Sequence, residues 1–318
     1  MNKSSSTAGL GSAVISALNG MFGDYLQQRS NGLAIEMAFL EHGQPLLLKP
    51  AALRAAHPAA GPRIVVLVHG LCCSEANWNF EGGESYGSLL QEALGMTPFY
   101  LRYNTGLPIA DNGQRFARQM QALVAAYPLT VEDITLIGHS MGGLVMRHAF
   151  DYGIAQGQSW INLVRRAFYL GTPHEGADLA KFAHLAAATL KAVPNPVTHL
   201  IGDILNLRSR GVQDLRHGMQ VDRKRQGRVV PGWLPQAEHF LISGTLHESP
   251  EHILSQLFGD LLVKLGGSGV LLPPENMKLF PGVHHMALAQ DAGVYAQIEA
   301  WCKDEPRAGA EAGTGAGK

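Results

Sequence analysis

Three cysteines in 318 residues, Cys72 and Cys73 side by side and Cys302 near the far end, are too few for the disulfide framework of a small secreted domain. A reducing, cytoplasmic setting is expected. No apolar run approaches the roughly 20 residues of a membrane span. The mildly apolar stretch 10–22 is interrupted by Asn19 and Gly20, and no small-residue cleavage site follows, so no secretory leader is expected. Charge of one sign is missing as well. A formal charge of −1 gives no global field to attract nucleic acid or an anionic membrane, and the basic run Arg223, Lys224, Arg225 and Arg228 reads as a solvated loop. Fourteen histidines invite a metal, but H-E-x-x-H is absent: His247-Glu248-Ser249-Pro250-Glu251-His252 has the wrong spacing and holds a proline. Neither a catalytic metal nor a cofactor is expected. No internal repeat is present.

What remains is an ordinary globular balance, 46% apolar and 16% charged, long enough for one large core with an insertion. Val14, Leu18, Met21, Phe22, Tyr25 and Leu26 recur at helical spacing and predict an amphipathic helix within residues 1–32, packed on the body. Two short apolar runs at 35–40 and 45–48, separated by His42-Gly43-Gln44, suggest a hairpin. Arg63-Ile64-Val65-Val66-Leu67-Val68 is a continuous β-branched run, the pattern of a strand buried on both faces of a parallel sheet. Similar runs follow at 99–103, 134–137, 167–170 and 239–242, with helix-length segments between most of them. Segment 114–127, for example, carries Phe116, Met120, Leu123 and Val124 on one face. This alternation predicts a doubly wound, mostly parallel α/β sheet. At about 174–236 it is broken by an insertion with two helical patterns, one holding Leu179, Phe182 and Leu190 and the other Ile201, Ile204 and Leu205. The insertion reads as a cap. The body is expected to run over 33–302, and the Gly/Ala-rich end, 303–318, to be disordered.

One local pattern carries chemistry. Gly138-His139-Ser140-Met141-Gly142 is a G-x-S-x-G set between an apolar strand and a helical stretch, the context that presents a serine on a sharp turn. A second copy, Gly83-Glu84-Ser85-Tyr86-Gly87, follows a polar stretch and lacks that context. Ser140 is therefore the candidate nucleophile and Ser85 is not. An acyl-transfer site needs backbone N–H donors for an oxyanion, one after the nucleophile and one from an earlier strand-ending loop. Met141 and Leu71, the latter in His69-Gly70-Leu71, occupy those places. A base and an orienting acid should follow in the order Ser, Asp or Glu, His. His284 and His285 both qualify as base. Among Glu248, Glu251 and Asp260 the last is best placed, since Gly259 permits a tight turn and Leu261-Leu262-Val263 can anchor it.

Together these stretches resemble the α/β-hydrolase lipases and esterases, in particular the branch similar to the GPI-inositol-deacylase-like and bacterial triacylglycerol lipases. The matching residues are Val68-His69-Gly70-Leu71, Leu101-Arg102-Tyr103-Asn104-Thr105-Gly106, Gly138 to Val145, Leu170-Gly171-Thr172-Pro173-His174 and Gly259 to Val263. The resemblance implies the α/β-hydrolase fold, a triad of Ser140, Asp260 and His285, an oxyanion hole at Leu71 and Met141, and a helical cap after His174. It departs at Leu261, where family members often carry a glycine. Of the two histidines, His285 is preferred because Met286, Ala287 and Leu288 can anchor the segment after it, in agreement with the family pattern. The expected reaction is hydrolysis of a small-molecule carboxylic ester, one with a hydrophobic acyl group, through an acyl-enzyme. Thioester or amide cleavage by the same triad is the alternative, and a non-catalytic binding protein on the same scaffold is the reading from another class.

Overall fold

The central strands form where β-branched residues can be buried on both sides. The computed structural model of the chain describes residues 4–174, 209–217, 233–245 and 272–304. In it, Arg63–Val68 is β3, with Ile64, Val66 and Val68 in the core on one side of the sheet and Val65 and Leu67 in the core on the other. Each such side chain contributes roughly 1.5–3 kcal/mol by leaving water. Ala38–Glu41 is β1, Gln44–Pro45 β2, Thr97–Arg102 β4, Asp133–His139 β5, Val164–Leu170 β6, Glu238–Thr245 β7 and Met277–Pro281 β8. They make an eight-stranded sheet in the order β2-β1-β4-β3-β5-β6-β7-β8, in which β3 to β8 pair in parallel and β1 runs antiparallel to both its neighbours. The hairpin turn falls on His42 and Gly43, both at positive φ (50° and 76°), the geometry a two-residue turn requires.

Helices cover both faces. Ile109–Ala126 (α4) and Met141–Ala155 (α5) lie on one side, and Tyr86–Leu94 (α3) and the C-terminal helix Ala292–Lys303 on the other. A short helix, Pro50–Ala56 (α2), follows the hairpin. In-phase pairing of Val68 with Gly138, His139 with Leu170, and Leu170 with Ile242 brings the carboxyl ends of β3, β5, β6 and β7 to one level. Ligands of open parallel sheets bind at that end.

The N-terminal helix α1, Ser4–Gln28, packs differently from its periodicity. Met21 and Leu26 are buried as expected, but Phe22 and Tyr25 are 41% and 54% exposed. The buried side is instead rich in small residues: Ser16, Ala17, Gly20 and Gly23. Two features account for this. The helix is kinked at Phe22 (φ −131°, ψ 15°), and two backbones must come close beneath it. A Cβ on Gly23 would overlap the Asn104 side chain, and one on Gly20 would overlap the Cys72 sulfur. Asn104 Nδ2 donates to the Gly23 carbonyl (2.9 Å) and Ser209 Oγ to that of Gly20 (2.8 Å).

The two helical patterns of the insertion, the basic run at 223–228, the acids Glu248, Glu251 and Asp260, and the tail beyond residue 304 lie outside the described residues.

Candidate active site

The two G-x-S-x-G copies have unlike backbones. Ser85 is extended (φ −141°) and caps α3, its Oγ accepting from the Ser88 N–H at 3.1 Å and lying 2.5 Å from the Tyr100 hydroxyl. Ser140 sits between β5 and α5 at φ 53°, ψ −121°, a conformation that costs an L-residue about 1–3 kcal/mol and persists only where its surroundings impose it. Here they do. The Ser140 N–H donates to the Leu170 carbonyl at 2.8 Å, and a Cβ on Gly142 would overlap the carbonyl oxygen of Val68. Its Oγ is buried and without a hydrogen-bond partner.

The loop after β3 touches the serine directly, since a Cβ on Gly70 would lie 3.0 Å from that of Ser140. Leu71 is buried, and no described group accepts from its N–H. Met141 occupies the first position of α5, where a backbone N–H has no intrahelical acceptor. Two residues just beyond β4 hold this loop. The Tyr103 hydroxyl donates to the His69 carbonyl (2.7 Å) while its ring stacks on the His69 imidazole (4.5 Å between centroids), and Thr105 Oγ1 accepts from the N–H of Cys72 (3.2 Å). Cys72 itself has φ 60°, so that hydrogen bond secures a strained residue. Cys72 and Cys73 are buried, and burial pushes both thiols up to about 12. Trp78 is fully buried in the core.

His285 and His284 diverge. The His284 side chain is exposed, and its Nδ1 accepts from the Ala287 N–H at 3.2 Å, closing the turn there. His285 points inward: its ring is 4.9 Å from that of His139, and a Cβ on Gly171 would lie 2.8 Å from its Nδ1. Its Nε2 is buried and, like Ser140 Oγ, makes no hydrogen bond, so the two are not bonded to each other in this arrangement. Burial, with His139 and His284 nearby, pushes the His285 imidazole down to about 3. Asp260 lies outside the described residues. The structure thus brings Ser140, His285, Leu71 and Met141 to the same end of the sheet.

Residues 65–298 match the profile of the alpha/beta hydrolase family. The chain belongs to that family. No curated protein matches it significantly. Among solved structures, this alpha/beta hydrolase is similar to a mature lipase from Bacillus licheniformis, at 18% identity and TM-score 0.46 over 76% of this chain and 90% of that one. It is similar also to lipase B from Aspergillus fumigatus, at 13% and 0.51 over 83% and 60%, and to an esterase from Pyrococcus furiosus, at 14% and 0.45 over 77% and 82%. At these identities the likeness is one of fold.

Beyond the end of β6 and ahead of β7, a buried arginine ties two segments of the connection to α5. Arg147 of α5 donates through Nη1 to Nδ1 of His174 (3.0 Å) and stacks on the ring of Trp233 (4.7 Å), while His239 bridges the Tyr169 hydroxyl (3.1 Å) and the Leu234 carbonyl (3.1 Å). The roles of Arg147, Tyr103, Thr105 and His139 are not readable from local patterns. The position of Tyr103 and Thr105 offered a signal, because they directly follow the strand next to the one carrying His69-Gly70-Leu71. Among the described residues, no helix is long and apolar enough to cross a membrane.

Proposed function

We propose that this alpha/beta hydrolase is a serine esterase of the lipase type, acting on small-molecule carboxylic esters with hydrophobic acyl groups. One observation carries the reading. Of the two G-x-S-x-G serines, only Ser140 has the strained strand-to-helix backbone, with a buried, unbonded Oγ at the end of the sheet where His285 turns inward. In the reaction, His285 Nε2 takes the proton of Ser140 Oγ as the oxygen attacks the ester carbonyl. The Leu71 and Met141 N–H groups receive the oxyanion, and Asp260 orients the imidazole. Collapse of the tetrahedral species breaks the bond to the alcohol, which leaves with the proton from His285; water then attacks the acyl-enzyme in the same way. That Ser140 Oγ and His285 Nε2 are unbonded fits this scheme, since such contacts often tighten only with substrate. Finer placement in the GPI-inositol-deacylase-like and bacterial lipase branch rests on the sequence motifs. Action in a reducing cytoplasm is supported by three unpaired, buried cysteines.

A fluorophosphonate probe should label the wild type stoichiometrically, and p-nitrophenyl esters from acetyl to palmitoyl should be cleaved with a preference beyond acetyl. Ser140→Ala should abolish labelling and lower kcat by about 10⁴–10⁶-fold, whereas Ser85→Ala should leave both intact. Labelling that survives Ser140→Ala would overturn the assignment.

A further inference from the structure

His139 has no part in the chemistry above, yet it is fully buried where three loops of the site meet. Its Nε2 lies 2.9 Å from the carbonyl oxygen of His285. Its Nδ1 faces the side-chain amide of Asn77 at 3.5 Å, and a Cβ on Gly70, in the loop carrying Leu71, would come within 3.2 Å of the same atom. The Trp78 ring system stands nearly perpendicular to the imidazole, 6.4 Å between centroids.

These contacts fix the tautomer. A carbonyl oxygen can only accept, so Nε2 bears the proton, and Nδ1 is left with a lone pair toward the Asn77 amide. Burial pushes the imidazole down to about 4, so it is neutral near pH 7 and has this single N–H to give. The recipient needs it. The loop from Gly282 to Met286 leaves β8 through a glycine at φ 79°, and the buried Nε2 of His285 has no partner of its own to fix the ring.

We infer that His139 is a positioning residue for the base: its Nε2–H holds the backbone of His285 at the level of Ser140. The inference rests on the reading of Ser140 and His285 as nucleophile and base. It makes the end of β5 a shared mount, the backbone of residue 140 setting the nucleophile and the side chain of residue 139 setting the base. Since general-base transfer falls steeply with misplacement of about 1 Å, loss of this one hydrogen bond should act on turnover and not on substrate binding.

The test is steady-state kinetics on p-nitrophenyl butyrate with three variants, each checked by thermal melting. His139→Leu should lower kcat by about 10–100-fold with KM nearly unchanged. His139→Gln carries an amide nitrogen at the same bond count as Nε2 and should recover most of the loss; His139→Asn reaches only as far as Nδ1 and should not. If the leucine variant does not fold, the glutamine-to-asparagine ratio decides alone, with about tenfold expected and equality overturning the inference. Ser140→Ala run in parallel separates the two levels. An inactive Ser140→Ala beside a His139→Leu with wild-type kcat sinks the positioning role only, whereas an active Ser140→Ala sinks the nucleophile assignment and the inference with it.

Discussion

The proton affinity of His285 is set by opposing effects. Burial and the neighbouring His139 and His284 disfavour the imidazolium and hold the value far below the ordinary 6.5. A carboxylate hydrogen-bonded to the ring acts in the other direction, by stabilising the charged form. A general base works only when neutral, so activity is lost as pH falls through its pKa. Asp260→Asn should therefore lower kcat by about 10⁴-fold and move the acid limb of kcat/KM to lower pH, read on a short-chain ester from about pH 4.5 to 8.5. An unmoved limb and unchanged rate, with the loss appearing instead in Glu251→Gln, would transfer the role of the acid. The nucleophile was legible at this scale because its signature is local: strand, glycine, serine, glycine and helix are contiguous. The role of His139 was not, because the carbonyl it binds is 146 positions further along the chain.

Elements were legible in proportion to how far their own period decides them. The run at 63–68 became β3 because burial on both faces leaves no choice of face, and the pattern Phe116, Met120, Leu123 became the inner side of α4 because that helix meets the sheet through large side chains. In α1 the same reasoning misplaced Phe22 and Tyr25, since it counts large apolar residues, and what decides the packing face there is how closely two backbones approach. The consequence can be measured. Gly23→Val, which sets a branched side chain against Asn104, should lift α1 from the loops at 72 and 104–106, with a melting temperature lowered by several degrees and slower fluorophosphonate labelling at Ser140. Overpacking of this kind costs about 1–3 kcal/mol. Phe22→Ser, at an exposed position of the same turn, should change neither. Equal effects from the two would show that α1 is held by its large residues after all.

For the molecule as a whole, the concentration of buried, uncharged imidazole sets a limit on acid tolerance. His69 and His139 are held down to about 4, His239 to about 3, and His174, beside the Arg147 guanidinium, well below the ordinary range, in each case chiefly by burial. An unfolded chain protonates these groups at about 6.5 and the folded one does not, so the unfolded state binds more protons below that pH. Stability from this source is complete above about pH 6.5 and declines as pH falls, by up to roughly 1.4 kcal/mol per histidine per pH unit. Melting curves between about pH 7.5 and 4.5 should show a steep fall in Tm; a flat profile would mean that the imidazoles reach solvent or find carboxylates.

The buried thiols give the same molecule a way of recording its own motions. Cys72 lies under α1 at the reactive end of the sheet, with Cys73 buried next to it in the same loop, and Cys302 lies in the C-terminal helix on the other face, all three pushed up to about 12 by burial. A folded chain therefore offers an alkylating reagent almost no thiolate, and modification counts openings, not exposure. Because Cys72 and Cys302 belong to two separately packed layers, the order in which they acquire mass under iodoacetamide would date which layer parts first.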